Sequence, residues 1–158
     1  VTVLLAVGLI LMGCAEGPQH FVTDFGVVGA DVQQLPISTK NVYELDRQRD
    51  IAAKLTEAIN SGKYNVVKVE TSYPYGYDFG NYLGSAKIYY DASGSGDGNH
   101  IRFLFVSSPE YSWKVRRKEV ENQLTEIENS RIYDIIKVRK PADSDDALLS
   151  DEVYYRAN

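Results

Sequence analysis

The chain has 158 residues, of which 44% are apolar and 25% are charged, a balance typical of one globular domain. Its 17 Lys and Arg against 22 Asp and Glu give a formal net charge of −5, so a broad basic face for nucleic acid is not expected. Cys14 is the only cysteine in the sequence, which excludes an intrachain disulfide and a zinc site built from cysteines.

The sequence begins with a run of apolar and small residues that ends at Met12. About twelve such residues are too few to cross a bilayer core of about 30 Å, but they have the length of the apolar region of a secretory signal. The quartet Leu11-Met12-Gly13-Cys14, which begins with the last two residues of this run, resembles the lipobox of bacterial lipoprotein precursors. The alternative interpretation is a buried amino-terminal strand or helix with an unmodified Cys14.

The lipobox resemblance implies that residues 1–13 are a signal peptide and that the mature protein begins at Cys14. It implies a diacylglyceryl thioether on the Cys14 sulfur and a further acyl chain, such as palmitate, on its amino group. Two or more chains hold a protein stably on a membrane, whereas a single chain does not. Ala15 stands where an Asp commonly signals retention in the inner membrane. The expected location is therefore the bacterial cell envelope, at the outer membrane facing the periplasm if the host is Gram-negative.

Residues 14–36 are interpreted as the lipidated cysteine and a tether, with a short strand as an option at its end. Residues 37–158 are interpreted as a single α/β globular domain. Its first clear element is a helix over about residues 42–61, since apolar residues recur there at helical spacing. Asn41 and Glu44 have the spacing of a capping box, and Gly62 supplies a stop.

Three strands are predicted after this helix. Residues 64–71 alternate between β-branched and charged side chains, which is typical of a half-buried strand, and residues 85–91 repeat the pattern. Residues 101–106 are almost wholly apolar and predict a central strand. The glycine-rich segment 93–99 predicts the hairpin loop that joins the last two strands.

A second helix is predicted from Ser108 and Pro109 to about residue 129. Its predicted buried stripe consists of Trp113, Val120, Leu124 and Ile127. Residues 132–139 predict a last strand. Within the tail over 142–158, residues 152–155 predict an edge strand or a short helix. The order α-β-β-β-α-β favours an α+β fold, with a mainly antiparallel sheet of about four to five strands and two amphipathic helices on one face. The other face of the sheet is expected to be partly open.

Catalytic residues are scarce in this sequence. His20 falls in the predicted tether and His100 at a junction between loop and strand, so no Ser-His-Asp or Cys-His arrangement is indicated. A catalytic pair of carboxylates stays an open alternative, because such pairs are recognised by geometry that a sequence does not show. We therefore expect no catalytic residues, no metal site and no cofactor.

The segment Tyr73–Gly84 concentrates aromatic residues among Pro and Gly residues that prevent long regular elements. Tyrosine combines a rigid apolar ring with a polar tip and is enriched at recognition surfaces. The candidate residues for binding a partner are Tyr73, Tyr75, Tyr77, Phe79 and Tyr82. The alternative is that these rings fold over the open sheet face as a lid on the core.

A short basic cluster lies near the start of the second predicted helix and consists of Lys114, Arg116, Arg117 and Lys118. Such a cluster could meet anionic lipid headgroups beside the anchor or an acidic partner. The alternative is a solvated helix face that the neighbouring glutamates balance.

The leading functional hypothesis is a membrane-anchored envelope lipoprotein with a non-catalytic binding or accessory role. Its partners would be the membrane, through the lipid on Cys14, and another envelope component, a protein or a glycan. An envelope hydrolase or glycan-modifying enzyme that uses acidic residues is the first alternative. An exclusion or immunity lipoprotein of a mobile element is the second alternative.

Overall fold

The computed structural model describes residues 18–76, 80–94, 97–110, 112–140 and 150–157. The predicted signal peptide, Cys14, Tyr77 and Phe79 lie outside the described residues. The described part forms two α-helices, nine strands and one short 3₁₀ helix (Gly98–His100). The helices and strands are β1 (Gln19–Asp24), β2 (Val32–Ile37), α1 (Glu44–Asn60), β3 (Val66–Tyr73), β4 (Tyr75–Gly76), β5 (Gly80–Asn81), β6 (Ser85–Asp91), β7 (Ile101–Ser107), α2 (Trp113–Ser130), β8 (Asp134–Arg139) and β9 (Ser150–Arg156).

The α+β class with mainly antiparallel sheets is confirmed. The strands predicted for one sheet are divided between a four-stranded sheet, in the order β1-β3-β6-β2, and a three-stranded sheet, in the order β7-β9-β8. Strands β4 and β5 form a small hairpin of their own. Every strand pair in the described part is antiparallel, so local hairpins and returns of the chain account for the sheets.

The main apolar core lies between the two sheets and α1. Ile51, Leu55 and Ile59 of α1 are at most 1% exposed and belong to one cluster with Ile88 of β6 and Phe103 of β7. A second cluster joins Val120 and Leu124 of α2 to the opposite face of the three-stranded sheet. The two helices therefore pack on different sides of that sheet and not on one common face.

The segment predicted as a tether contains two strands. Residues 19–24 pair with β3, and residues 32–37 pair with β6, so both edges of the four-stranded sheet come from this segment. The folded domain therefore already includes residue 19 and does not begin at residue 37. The sequence of β1 hid this because only Phe21 and Thr23 of its inward face are available to show the two-residue period.

Helix α1 begins at Glu44 without the predicted capping box. Its N-cap residue is Tyr43, which makes no side-chain capping bond, so Asn41 lies before the cap and Glu44 is the first helical residue. Arg47 instead donates from Nη1 to the carbonyl oxygen of Asn41 over 3.1 Å. Beyond the helix, Gly62 adopts φ +67°, the left-handed region that favours glycine, which agrees with its predicted role as a stop.

The tail and the apolar strand exchange their predicted places in the sheet. Strand β9, predicted as an edge strand or short helix, is the central strand, and β7, predicted as central, lies at an edge. The free edge of β7 is protected by Asn60 of α1, whose side chain accepts from the Phe103 amide over 2.7 Å and donates to the Phe103 carbonyl over 3.0 Å. An apolar strand can thus occupy an edge because a helix covers it.

Candidate binding surface and the buried glutamate behind it

One face of the four-stranded sheet points away from the core and carries half-buried and exposed side chains. Side chains of a strand alternate between the two faces, so the core-facing set of β3 and β6 includes Val69, Thr71 and Ile88. We call the opposite face of the sheet the outer face. Its side chains include His20, Val22, Gln34, Pro36, Lys68, Glu70, Lys87 and Tyr89.

Tyr89 lies at the centre of the outer face between two lysines. The Nζ atom of Lys68 is 4.1 Å from the centroid of the Tyr89 ring, and that of Lys87 is 5.8 Å from it. The Glu70 carboxylate forms an ion pair with Nζ of Lys68 at 3.6 Å and lies 3.9 Å from Nε2 of His20. We call these five residues the Tyr89 cluster.

The Tyr89 cluster is an aromatic ring held in place by charges of both signs. Partial burial raises the pKa of the Tyr89 hydroxyl, and its hydrogen bond to Glu70 raises that pKa further, while Lys68 acts in the opposite direction. The hydroxyl therefore stays protonated at neutral pH and serves as a donor. Cations over the ring face fix its orientation, which lowers the entropic cost of using the ring in a contact.

Glu152 of β9 lies on the other side of the four-stranded sheet, between the two sheets, and is 1% exposed. Three hydroxyl groups donate to its carboxylate over 2.7 Å each, from Thr71, Tyr73 and Tyr154. Burial raises the pKa of Glu152, whereas the three hydroxyls and the charge of Arg139 lower it. Burial and the nearby carboxylate raise the pKa of Tyr73 and Tyr154 well above 10.0, so both rings stay neutral donors.

This arrangement makes Glu152 a structural link between the sheets. Its oxygen atoms are satisfied by groups from β3 and from β9 itself, and Arg139 of β8 donates in turn from Nε to the hydroxyl of Thr23 over 3.1 Å. A buried carboxylate without such donors would be strongly destabilising. Sequence reasoning missed Glu152, because a glutamate in a strand ordinarily indicates an outward position.

The other buried carboxylate of β9 points to the opposite face of the sheet. Asp151 is 7% exposed, and burial raises its pKa from 3.8 to about 6, with Glu121 and Glu128 of α2 acting in the same direction and Lys140 against it. Successive residues of a strand face opposite ways, so Asp151 and Glu152 do not share a site. Their separation by the sheet prevents them from acting as a catalytic pair.

Three cavities are described, and none of these three is lined by more than one carboxylate. A groove of about 430 Å³ lies between the first half of α1 and the carboxyl end of β7, lined by residues such as Arg49, Phe105 and Ser108. Within the described ranges no three His, Cys, Asp or Glu side chains are grouped as metal ligands would be. None of the helices in those ranges has both the length and the apolar character needed to span a bilayer.

The structure distributes the candidate tyrosines over different environments. Tyr73 is fully buried and hydrogen-bonded to Glu152, so it is a core residue and not part of a contact surface. Tyr82 is half-buried and packs against the core. Tyr75 is 49% exposed, whereas Tyr77 and Phe79 lie outside the described residues. Tyr73 is therefore not a contact residue, and partner binding by the exposed Tyr75 stays a prediction.

The basic cluster on α2 also divides. Arg116 is only 4% exposed and donates from Nε to the Glu110 carbonyl over 3.0 Å, and burial lowers its pKa. Arg117 pairs with Glu121 over 3.1 Å. Lys114 and Lys118 are exposed, so the free positive charge of this patch comes from two lysines and not from four residues.

The predicted buried stripe of α2 needs one further correction. Trp113 is 44% exposed and not buried, and its ring lies 5.6 Å from Nζ of Lys114. Arg116 occupies the buried position in the first turn of the stripe, whereas Val120 and Leu124 are buried as predicted. No protein-family model, curated protein or solved structure matches this chain.

Proposed function

We propose that this chain is the precursor of a lipid-anchored protein of the bacterial cell envelope, with a non-catalytic binding or accessory role. In this proposal Cys14 carries the lipid, and the outer face of the four-stranded sheet binds another envelope component, a protein or a glycan. The location follows as the outer membrane facing the periplasm if the host is Gram-negative. The lipobox quartet supports the anchor.

The observation that carries the binding role is the outer face with the Tyr89 cluster at its centre. Sheets with one open face commonly present it to water with alternating polar side chains. Here the face also carries an oriented aromatic ring, and tyrosine is among the residues that contribute most to binding at interfaces. The neighbouring lysines and Glu70 supply donors and an acceptor around that ring.

The anchor is tested by replacing Cys14 with Ser in the full-length precursor expressed in bacteria. The original chain should incorporate radiolabelled palmitate and sediment with membranes, and the Cys14→Ser chain should do neither. Ala15→Ser is the matched control and should keep both properties. Equal membrane association of the original and the Cys14→Ser chains, with no label in either, would disprove the anchor.

The binding face is tested by photo-crosslinking in intact cells. A photoreactive amino acid at Gln34, on the outer face, should give a discrete adduct, whereas the same group at exposed Lys63, in the loop after α1, should not. Adding Tyr89→Ala should remove the Gln34 adduct while the melting temperature stays close to that of the parent. An adduct that persists unchanged in Tyr89→Ala would refute the role of the Tyr89 cluster.

A further inference from the structure

One end of the described fold carries most of the large apolar side chains that are exposed in the described residues. Nine large apolar side chains are exposed in the described part of the chain, and five of them lie at this end. They are Val42 (77% exposed), Tyr43 (75%), Tyr75 (49%), Trp113 (44%) and Val115 (44%). Exposed apolar side chains that cluster, unlike scattered ones, indicate a contact surface. We call this end of the molecule the anchor end.

Strand pairing places the start of the described chain at the anchor end. Gln19, the first residue of β1, pairs with Tyr73, the last residue of β3. Tyr73 reaches the start of β9 through its hydrogen bond to Glu152, and at that level Ser150 pairs with Ser107, the last residue of β7. The chain therefore enters the fold at the same end at which β3 and β7 leave their sheets.

Both helices begin at the anchor end. Gly76 of the β4–β5 hairpin lies directly against the Glu44 side chain at the start of α1, and Arg47 donates from Nε to the Gly84 carbonyl over 2.8 Å. The groove beside β7 brings the first half of α1 next to Ser108, which leads into α2. Helix α2 begins at Trp113, only five residues after Ser108, so its first turn lies at the same end.

The side chains gathered here have the chemistry of a bilayer interface. Trp and Tyr favour the headgroup level of a membrane, and lysines there attract anionic lipids. Lys114 and Lys118 are exposed on the first turns of α2 beside Trp113 and Val115, and Lys40 is exposed in the connection before α1. Asp46 and Glu110 are exposed nearby, so the contact is expected to combine apolar insertion with a modest electrostatic attraction.

The length of chain between the lipid and the fold favours the same contact. Four peptide units separate Cys14 from Pro18, the first described residue, and they span at most about 14 Å when fully extended. A domain held by so short a connection brings the end that carries it close to the lipid headgroups. The exposed apolar cluster lies at that end and not at the opposite one.

We propose that the anchor end docks on the surface of the bilayer that holds the lipid, with Trp113, Tyr43 and Tyr75 at the headgroup level. This inference rests on the proposed lipid anchor at Cys14. Strand β1 begins at this end and its antiparallel partner β3 ends there, so the four-stranded sheet extends away from the membrane and its outer face stays accessible to a partner.

Trp113 is the only tryptophan of the sequence, which makes its fluorescence a direct probe of docking. The full lipidated protein is reconstituted into vesicles of phosphatidylethanolamine and phosphatidylglycerol. Docking should shift the emission to shorter wavelength, protect it from acrylamide and allow quenching by bromine-labelled lipids. The inference would be overturned if the emission stayed at its aqueous wavelength and acrylamide quenched it as strongly with vesicles as without them.

Failure of the anchor and failure of docking give different results. If mass spectrometry finds no acyl chain and the protein does not float with the vesicles in a density gradient, the proposed lipid anchor is wrong. If the acylated protein floats with vesicles while Trp113 stays exposed to acrylamide, the docking inference alone is wrong.

Two variants test the surface itself. Tyr43→Ser with Val42→Ser should weaken the protection of Trp113 while the protein stays bound to vesicles through its lipid. Ile132→Ser, a change at a side chain that is 70% exposed at the opposite end, is the matched control and should leave protection unchanged. Equal protection of Trp113 in the parent, the Val42 and Tyr43 double variant and Ile132→Ser would contradict the role of the anchor end. Lys114→Ser with Lys118→Ser should reduce protection on vesicles that contain phosphatidylglycerol more than on purely neutral vesicles.

Discussion

Replacing Asp151 with Asn should change how the stability of the protein depends on pH. Asp151 is 7% exposed on the face of β9 that α2 covers, and burial raises its pKa from 3.8 to about 6. The native state therefore binds a proton more tightly than the unfolded state, whose aspartates titrate near 4. Stability contributed by this proton is complete below pH 3.8 and is lost as pH rises through about 6.

The size of the effect follows from the two pKa values. Moving the pKa from 3.8 to about 6 corresponds to about 3 kcal/mol of unfolding free energy, at about 1.4 kcal/mol for each pH unit. An Asn at this position has nearly the same shape and cannot ionise. The variant should therefore gain stability relative to the original protein between about pH 4 and pH 7, by an amount approaching that value.

Urea unfolding at a series of pH values measures this difference. The gap in unfolding free energy between Asp151→Asn and the parent should be constant below about pH 3.5, grow through pH 4 to 6, and level off near pH 7. Any fixed cost of burying an amide is the same at each pH and drops out of the trend. Asp134→Asn, at the exposed start of β8, is the matched control. A gap that does not change with pH would refute the assignment of the buried proton to Asp151.

Three further substitutions test the packing around the two sheets. Tyr154→Phe removes one of three donors to Glu152 and should lower the unfolding free energy by about 1–3 kcal/mol, measured by urea unfolding. Asn60→Asp keeps an acceptor for the Phe103 amide but loses the donor to its carbonyl, so hydrogen exchange of the β7 edge should become faster. Gly98→Ala places a Cβ atom against the backbone of β3 and should reduce the melting temperature sharply.

Each of these three predictions has an outcome that would contradict it. Tyr154→Phe with unchanged stability would mean that Glu152 does not depend on that hydroxyl. Unchanged exchange at the β7 edge in Asn60→Asp would place its protection elsewhere. Gly94→Ala is a useful comparison for Gly98→Ala, since its Cβ atom would meet no atom within 4 Å although φ +74° also strains it. A loss no greater for Gly98→Ala than for Gly94→Ala would argue against the close contact.

Local patterns predicted the elements whose burial is decided within the element itself. Strand β6 spans Ser85–Asp91 as its alternation indicated, and the buried side of α1 consists of Ile51, Leu55 and Ile59 at helical spacing, with Gln48 and Ala52 beside them. In both elements apolar residues alone mark the inner face. The period of these residues is therefore enough to identify the element and its orientation.

Strand β9 could not be identified in this way, because its buried residues include polar ones. Glu152 is buried only since Thr71 and Tyr73 supply donors, and these residues are 81 and 79 positions away in the sequence. A local pattern contains no information about partners at that distance. Arg116 shows the same effect in α2, where an acceptor from the preceding connection allows a guanidinium to occupy the place predicted for Trp113.

The aromatic segment shows why composition identified a region but not its function. Tyr73 ends β3 with its ring in the core, whereas Tyr75 lies in the next short strand and is 49% exposed, so two tyrosines only two positions apart have different environments. A partly open sheet face was expected, but Tyr89 was not singled out on it, because it is one tyrosine among charged residues and its ring is positioned by Lys68 from another strand. Since the inner and outer side chains of β3 alternate, a change at Lys68 can act on binding while Thr71 continues to hold Glu152. The sheet thereby separates the residues that stabilise the fold from those proposed to recognise a partner.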